Sequence, residues 1–174
     1  LNFVKFAAKN RPVDAENAII RLSEIMRFAL EQSNADLISV SSEIQQIKNV
    51  IELNCLRFDN KLNINYEEAI EDESLQIIPI VLLTLVENLF KHGNLLENEI
   101  PAIIKINADE NRLVFHTSNL PNAVILKSTK TGIKNIVSRL KLYYGDDFQF
   151  TFGLQDGIYL TKLNIPLKTP KIQV

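Results

Sequence analysis

Apolar residues recur along the chain at three- and four-residue spacing in some stretches and in strict alternation in others, and the two rhythms take turns. Leu1 to Asn10 reads as the end of a helix, closed by the run Asn10, Arg11, Pro12. Asp14 then reads as the cap of a long amphipathic helix through about Gln32, with Ala18, Ile19, Leu22, Ile25, Met26 and Ala29 along one face. "DLISV" is a short strand, and Ser42 with Gln45 has capping-box spacing for a helix running to about Phe58. "KLNINYEE" alternates as a half-buried strand does. The run "IPIVLLTLVENLF", starting a helix near Pro79, is apolar on nearly every side, which predicts burial between layers; Gly93 ends it.

"AIIKINA" and "RLVFHTS" follow as two strands joined by the turn "DEN". Asn119 to Lys130 has no period and reads as a loop. "TGIKNIVSRLKLYYG" is an amphipathic helix with Gly145 placed to stop it, and "FQFTFGL" and "IYLTKLNI" form a hairpin around "QDG". From Leu37 the order is strand, helix, strand, helix, two strands, helix, two strands. That order predicts a two-layer sandwich of α and β structure, helices over one face of a mixed sheet, preceded by all-helical residues 1–35.

Composition narrows the function classes. The chain has 174 residues, 46% hydrophobic and 23% charged, within the range of soluble globular domains. A net charge of -2 supplies no basic field for nucleic acid. The lone Cys55 excludes an internal disulfide and reads as small core packing. Apolar runs stop short of the roughly 18 residues a bilayer crossing needs, and no signal peptide is visible. The first residue is not methionine and the chain opens in mid-helix, so a fragment is expected.

Two polar clusters carry candidate chemistry. The first is "LVENLFKHG", where a buried helix gathers Glu87, Asn88, Lys91 and His92 in its last turns. The carboxamide oxygen of Asn88 is a hard neutral ligand suited to Mg²⁺, which prefers oxygen donors and keeps waters and substrate phosphates. Lys91 is within reach of an anion on roughly the same side, and Glu87 could orient Asn88 or meet a metal-bound water. The plainer reading is a helix C-terminus whose Lys91 and His92 complement the dipole. The second cluster, "TKTGIKN", puts Gly132 at a helix start flanked by Lys130 and Lys134, where backbone amides bind phosphate. Between the clusters, Thr117 and Asn119 end a strand with groups able to hydrogen-bond a base edge.

These motifs resemble the LytS/YehU-type sensor histidine kinases, whose ATPase domain has the GHKL (Bergerat) fold. "LSEIMRFAL" is similar to the family's Leu-Ser-x-x-x-Arg, and Leu56, Arg57 and Phe58 to its Leu-Arg-Phe. "IPIVLLTLVENLFKHG" resembles Ile-Pro-Pro followed by Leu-Val-Glu-Asn-Ala-x-Lys-His-Gly. "TGIKNIVSRLKLYYG" resembles Gly-x-Gly-Leu-x-Asn-x-x-x-Arg-Leu with a following Leu-Tyr pair.

The resemblance implies an α+β two-layer sandwich of the Bergerat type. It divides the chain into a truncated dimerisation and phosphoacceptor region (1–35), an ATP-binding catalytic domain (36–168) and a tail (169–174). Asn88 would hold Mg²⁺, with Glu87 in its water network; Lys91 and His92 would face the phosphates of ATP, and Gly93 would let the chain turn. Asn119 matches the adenine-contacting position, and Gly132 and Asn135 match the phosphate loop and the first turn of its helix, with Lys130 as a further phosphate-facing candidate in that loop. His116 matches nothing in the pattern and reads as an exposed strand residue. The family's acceptor histidine would fall six residues before Leu1, leaving a nucleotide site without its target.

Expected partners are a second copy in a homodimer and a response regulator, with no nucleic acid. Membrane attachment would come only through segments outside this chain, as in the cytoplasmic part of a bacterial inner-membrane protein. The sequence also departs from the pattern. Asn119 stands for a more usual aspartate, Lys130 for the first glycine, Ile133 for leucine and Leu83 for a frequent glutamine. Those departures keep open a kinase-like module that acts through dimerisation and partner binding with little or no turnover.

Overall fold

The computed structural model describes residues 2–32, 35–72, 75–97, 99–122 and 131–167. Its elements in order are α1 (Asn2–Asn10), α2 (Pro12–Gln32), β1 (Ile38–Ser39), α3 (Val40–Arg57), β2 (Ile64–Ile70), β3 (Gln76–Ile77), α4 (Val81–His92), β4 (Ala102–Ala108), β5 (Arg112–Asn119), α5 (Thr131–Tyr144), β6 (Gln149–Gln155) and β7 (Ile158–Pro166). The expected α+β sandwich is present, a mixed five-stranded sheet in the order β2-β4-β5-β7-β6. β2 pairs β4 in parallel, and the remaining neighbours are antiparallel.

The alternation in the sequence sets which side chains meet the helices. Ala102, Ile104, Ile106 and Ala108 of β4, Leu113 and Phe115 of β5, and Leu163 and Ile165 of β7 are buried. They share one core with Ile44 and Ile47 of α3, with Leu82, Leu85, Val86 and Leu89 of α4, and with Ile136 and Leu140 of α5. α4 is as buried as its apolar run predicts. α2 lies along α3, where Arg21 pairs with Glu52 at 2.6 Å and also reaches Asn49. Ile19 and Met26, two members of the predicted α2 stripe, remain exposed.

Local details differ from the sequence reading at several points. α2 starts at Pro12, with Asp14 inside its first turn and bridged to Arg11 at 3.5 Å. Proline has no N–H to lose there, and its fixed φ suits the first helical position. α3 starts at Val40, so its N-cap is Ser39, whose Oγ accepts from the Ser42 amide at 3.2 Å; Ser42 is not the cap. The "DLISV" strand shortens to two residues that pair with Gln76 and Ile77, a strand the sequence reading missed.

Pro79 lies outside α4. The N-cap is Ile80, held left-handed at φ 66°. Cys55 is half-buried on α3 and is not part of the buried core. His116 is half-buried between Lys105 and Lys162 on adjacent strands, and desolvation, helped by the charges of Lys162 and Lys105, holds its imidazole below the usual range. The closing hairpin turns at Asp156 and Gly157, both at positive φ, the two-residue turn whose twist matches its strands.

Candidate functional site

The last turns of α4 present their polar residues on two lines. Glu87 and Lys91 are exposed, while Asn88 and His92, one turn apart, are half-buried. The amide nitrogen of Asn88 and Nδ1 of His92 are buried atoms without a hydrogen-bond partner among the described residues. An unpaired buried polar atom costs about 1–3 kcal/mol, so both are sites where a ligand or water adds stability. Desolvation, helped by the neighbouring Lys91 charge, lowers the His92 pKa, and desolvation raises that of Glu87.

Gly93 ends the helix with its N–H on the Leu89 carbonyl at 2.8 Å, then leaves in extended conformation. From there the chain is stitched to the end of β5. Gly93 bridges Pro121, Asn94 N donates to Leu120 O at 2.7 Å, and Asn122 N donates to His92 O at 2.7 Å. Asn119, the last residue of β5, is 4% exposed, and its Nδ2 donates to the Leu120 carbonyl at 2.9 Å. A Cβ on Gly93 would stand 2.6 Å from the Leu89 carbonyl oxygen and 3.0 Å from Asn119 Nδ2. Only glycine lets these two segments lie so close.

The second cluster is described in part. Lys130 lies outside the described residues. Gly132 and Asn135 stand on the first turns of α5, where the space a Cβ at 132 would occupy is open and Asn135 is exposed. Among the described residues no hydrogen bond joins Gly132 or Asn135 to the corner formed by Asn88, Gly93 and Asn119. The far end of α5 meets the start of α4 instead. Arg139 Nη2 donates to Pro79 O at 2.8 Å, and Tyr144 Oη accepts from Ile78 N at 3.3 Å.

One buried acid with two backbone partners escaped the sequence reading. Glu43 of α3 is fully buried, and its carboxylate accepts from the amides of Ile80 at 2.9 Å and Leu83 at 3.0 Å. Its signal was an acid set among Val40, Ile44 and Ile47 on the buried face of α3. A cleft of about 460 Å³ opens elsewhere, between α3 and β2, where Lys48 and Glu68 neutralise each other at 2.7 Å.

Among the described residues, no three His, Cys, Asp or Glu side chains gather as a metal cage. A Mg²⁺ shared between one carboxamide oxygen, phosphate oxygens and water requires none. The donor chemistry of Asn88, a carboxamide oxygen on a half-buried side chain at the end of α4, fits that role, and its unpaired Nδ2 would donate to a water or phosphate beside it. No described helix is long and apolar enough to cross a membrane.

Comparison with known proteins bears on the fold. Residues 1–62 match the family model described as histidine kinase. The sensor protein LytS of Enterococcus faecalis is 25% identical across 99% of this chain and 32% of its own length. The sensor histidine kinase YpdA of Escherichia coli is 28% identical across 84% of this chain and 28% of its own. This chain thus spans about a third of those relatives.

Among solved structures, the nucleotide-free catalytic domain of histidine kinase ThkA superposes with a TM-score of 0.52 at 15% identity, over 78% of this chain and 97% of that one. ThkA in complex with the response regulator TrrA gives 0.51 at 18% identity, over 91% and 51%. Full-length ShkA in complex with AMPPNP gives 0.50 at 18%, over 95% and 39%. The chain resembles the LytS-type sensor histidine kinases, and its fold is that of histidine kinase catalytic domains.

Proposed function

We propose that this chain is the catalytic portion of a LytS-type sensor histidine kinase, binding Mg·ATP between the end of α4 and the start of α5. In this reading residues 36–168 form the nucleotide-binding domain, and residues 1–35 belong to the dimerisation and phosphoacceptor region. The observation that carries it is the corner where the α4 terminus, bearing half-buried Asn88 with an Nδ2 free to donate to a ligand, is stitched to the end of β5 beside Asn119. Asn88 would hold the Mg²⁺, and the bound Mg·ATP would supply the γ-phosphoryl group. Lys91 would set a positive charge against the phosphates, and neutral His92 could donate or accept a hydrogen bond beside it. The space a side chain at 132 would fill is open, so an anion could approach the backbone at the start of α5 there. Glu87, exposed one residue before Asn88, would order the surrounding water.

The receiving histidine would lie upstream of Leu1 and would pass the phosphoryl group to an aspartate of a response regulator. Exposed Phe6, Val13, Ile19 and Met26 on α1 and α2 supply an apolar surface for a second copy of the chain. Cytoplasmic placement beside a bacterial inner membrane follows from the same reading. A second reading, a kinase-like module with little turnover, is favoured by Asn119, whose amide is buried and already bonded to Leu120.

Titration with Mg·ATP tests the first reading. Binding at micromolar to sub-millimolar concentration is expected, reduced at least tenfold in Asn88→Ala. Binding absent at several millimolar in the wild-type protein refutes it. Acid-labile phosphate on a chain extended upstream to the acceptor histidine would separate an active kinase from the inactive module.

A further inference from the structure

α4 begins without a cap of its own. Ile80 is left-handed at φ 66° and offers no side-chain oxygen, so the first amides of the helix need an acceptor from elsewhere. Glu43 supplies it from α3. One carboxylate oxygen takes the Ile80 amide and the other the Leu83 amide, at 2.9 and 3.0 Å. The preceding backbone is held by α5 as well, through Arg139 on the Pro79 carbonyl and Tyr144 on the Ile78 amide.

Two anchored amides, three residues apart, fix both the axial position and the rotation of a helix. α4 is a 12-residue helix without proline, about 18 Å long, so a displacement at its start is carried to its end. Asn88 and Lys91 follow Leu83 by less than three turns. α3 in turn is tied to α2 through Arg21 and Glu52. The same helix therefore touches both the N-terminal helices and the root of α4.

We propose that Glu43 is a positioning residue of the Mg-nucleotide site, setting through the N-terminus of α4 where Asn88 presents its carboxamide, with Arg139 as a second clamp. The proposal rests on the nucleotide-binding reading given above. Gln at position 43 keeps one acceptor oxygen and its shape but not both bonds, so α4 is held at one point and left to turn about it.

The test is nucleotide binding by the full chain, measured against Mg²⁺ concentration and again in EDTA, for wild type, Asn88→Ala, Glu43→Gln and Arg139→Gln. Glu43→Gln is expected to raise the half-saturating Mg²⁺ concentration roughly tenfold, because small misplacement of a reacting group has large effects. Nucleotide affinity in EDTA should change less than twofold, and Arg139→Gln should shift the Mg²⁺ dependence in the same direction by a smaller factor. A merely structural role would leave the Mg²⁺ dependence unchanged or lower both affinities together, and either result overturns the proposal. Arg139 is exposed on α5. Its variant therefore carries the test with the same two outcomes if Glu43→Gln fails to fold. Failure of wild type to bind at all removes the parent reading and this one with it. Normal wild-type and Asn88→Ala behaviour beside unaltered Glu43 and Arg139 variants removes only this one.

Discussion

Gly93 and Asn119 are packed so that a single methyl group on the glycine would lie 3.0 Å from the asparagine amide nitrogen and 2.6 Å from the carbonyl of Leu89. The backbone at Gly93, with φ -81°, suits any residue, so the requirement is for space and not for a left-handed turn. Gly93→Ala is expected to destabilise the fold by about 1–3 kcal/mol, the usual cost of overpacking, by parting the end of α4 from the end of β5. Urea denaturation measures the loss. A midpoint equal to wild type would mean that the corner yields freely.

Ser39 and Ser42 make opposite claims on the start of α3, and the structure decides for Ser39. Ser39→Ala should cost about 1 kcal/mol, whereas Ser42→Ala should stay within about 0.5 kcal/mol. Thermal unfolding of the two variants side by side checks the order, and a larger loss at Ser42 would reverse the assignment.

The carboxyl of Glu43 is pushed from its ordinary 4.5 up to about 7. Desolvation is the main cause, opposed by the amides of Leu83, Ile80 and Leu82 and by the charge of Arg139; the Tyr144 hydroxyl faces the same group from α5. A folded value above the unfolded one means that folding takes up a proton. Its contribution to stability is therefore complete below about pH 4.5 and declines as pH rises through 7. Between pH 4.5 and 8.5 wild type should lose about 3 kcal/mol relative to Glu43→Gln, which has no proton to release. Parallel stability curves for the two proteins over that range would contradict the assignment.

Periodicity located every long element because burial on one face is a local pattern. α4 ends at Gly93 and α5 at Gly145, where the chain needs a residue without a side chain or one at positive φ. The Asp156–Gly157 turn was equally plain. What the sequence concealed depends on partners far along the chain. β1 and β3 are two-residue strands that exist through each other, too short to show alternation. α4 starts at Val81, two residues past Pro79, and the acceptor of its first amides is an acid on a different helix, 37 residues before Ile80. In the candidate site, the motif residues of α4 were legible by type and spacing. The tight approach of Asn119 to Gly93 was not, since it arises from the register of β5 against the loop that follows α4.

The parallel pairing of β2 with β4 has a consequence for the time course of folding. β4 with β5, and β6 with β7, are hairpins whose halves meet across a few residues. β2 can join β4 only after a detour of roughly 30 residues has folded back, and such distant pairings are the slow ones. The whole of α4 lies on that detour. Closing the β2–β4 pair therefore also encloses the segment that bears Asn88 between two strands already committed to the sheet.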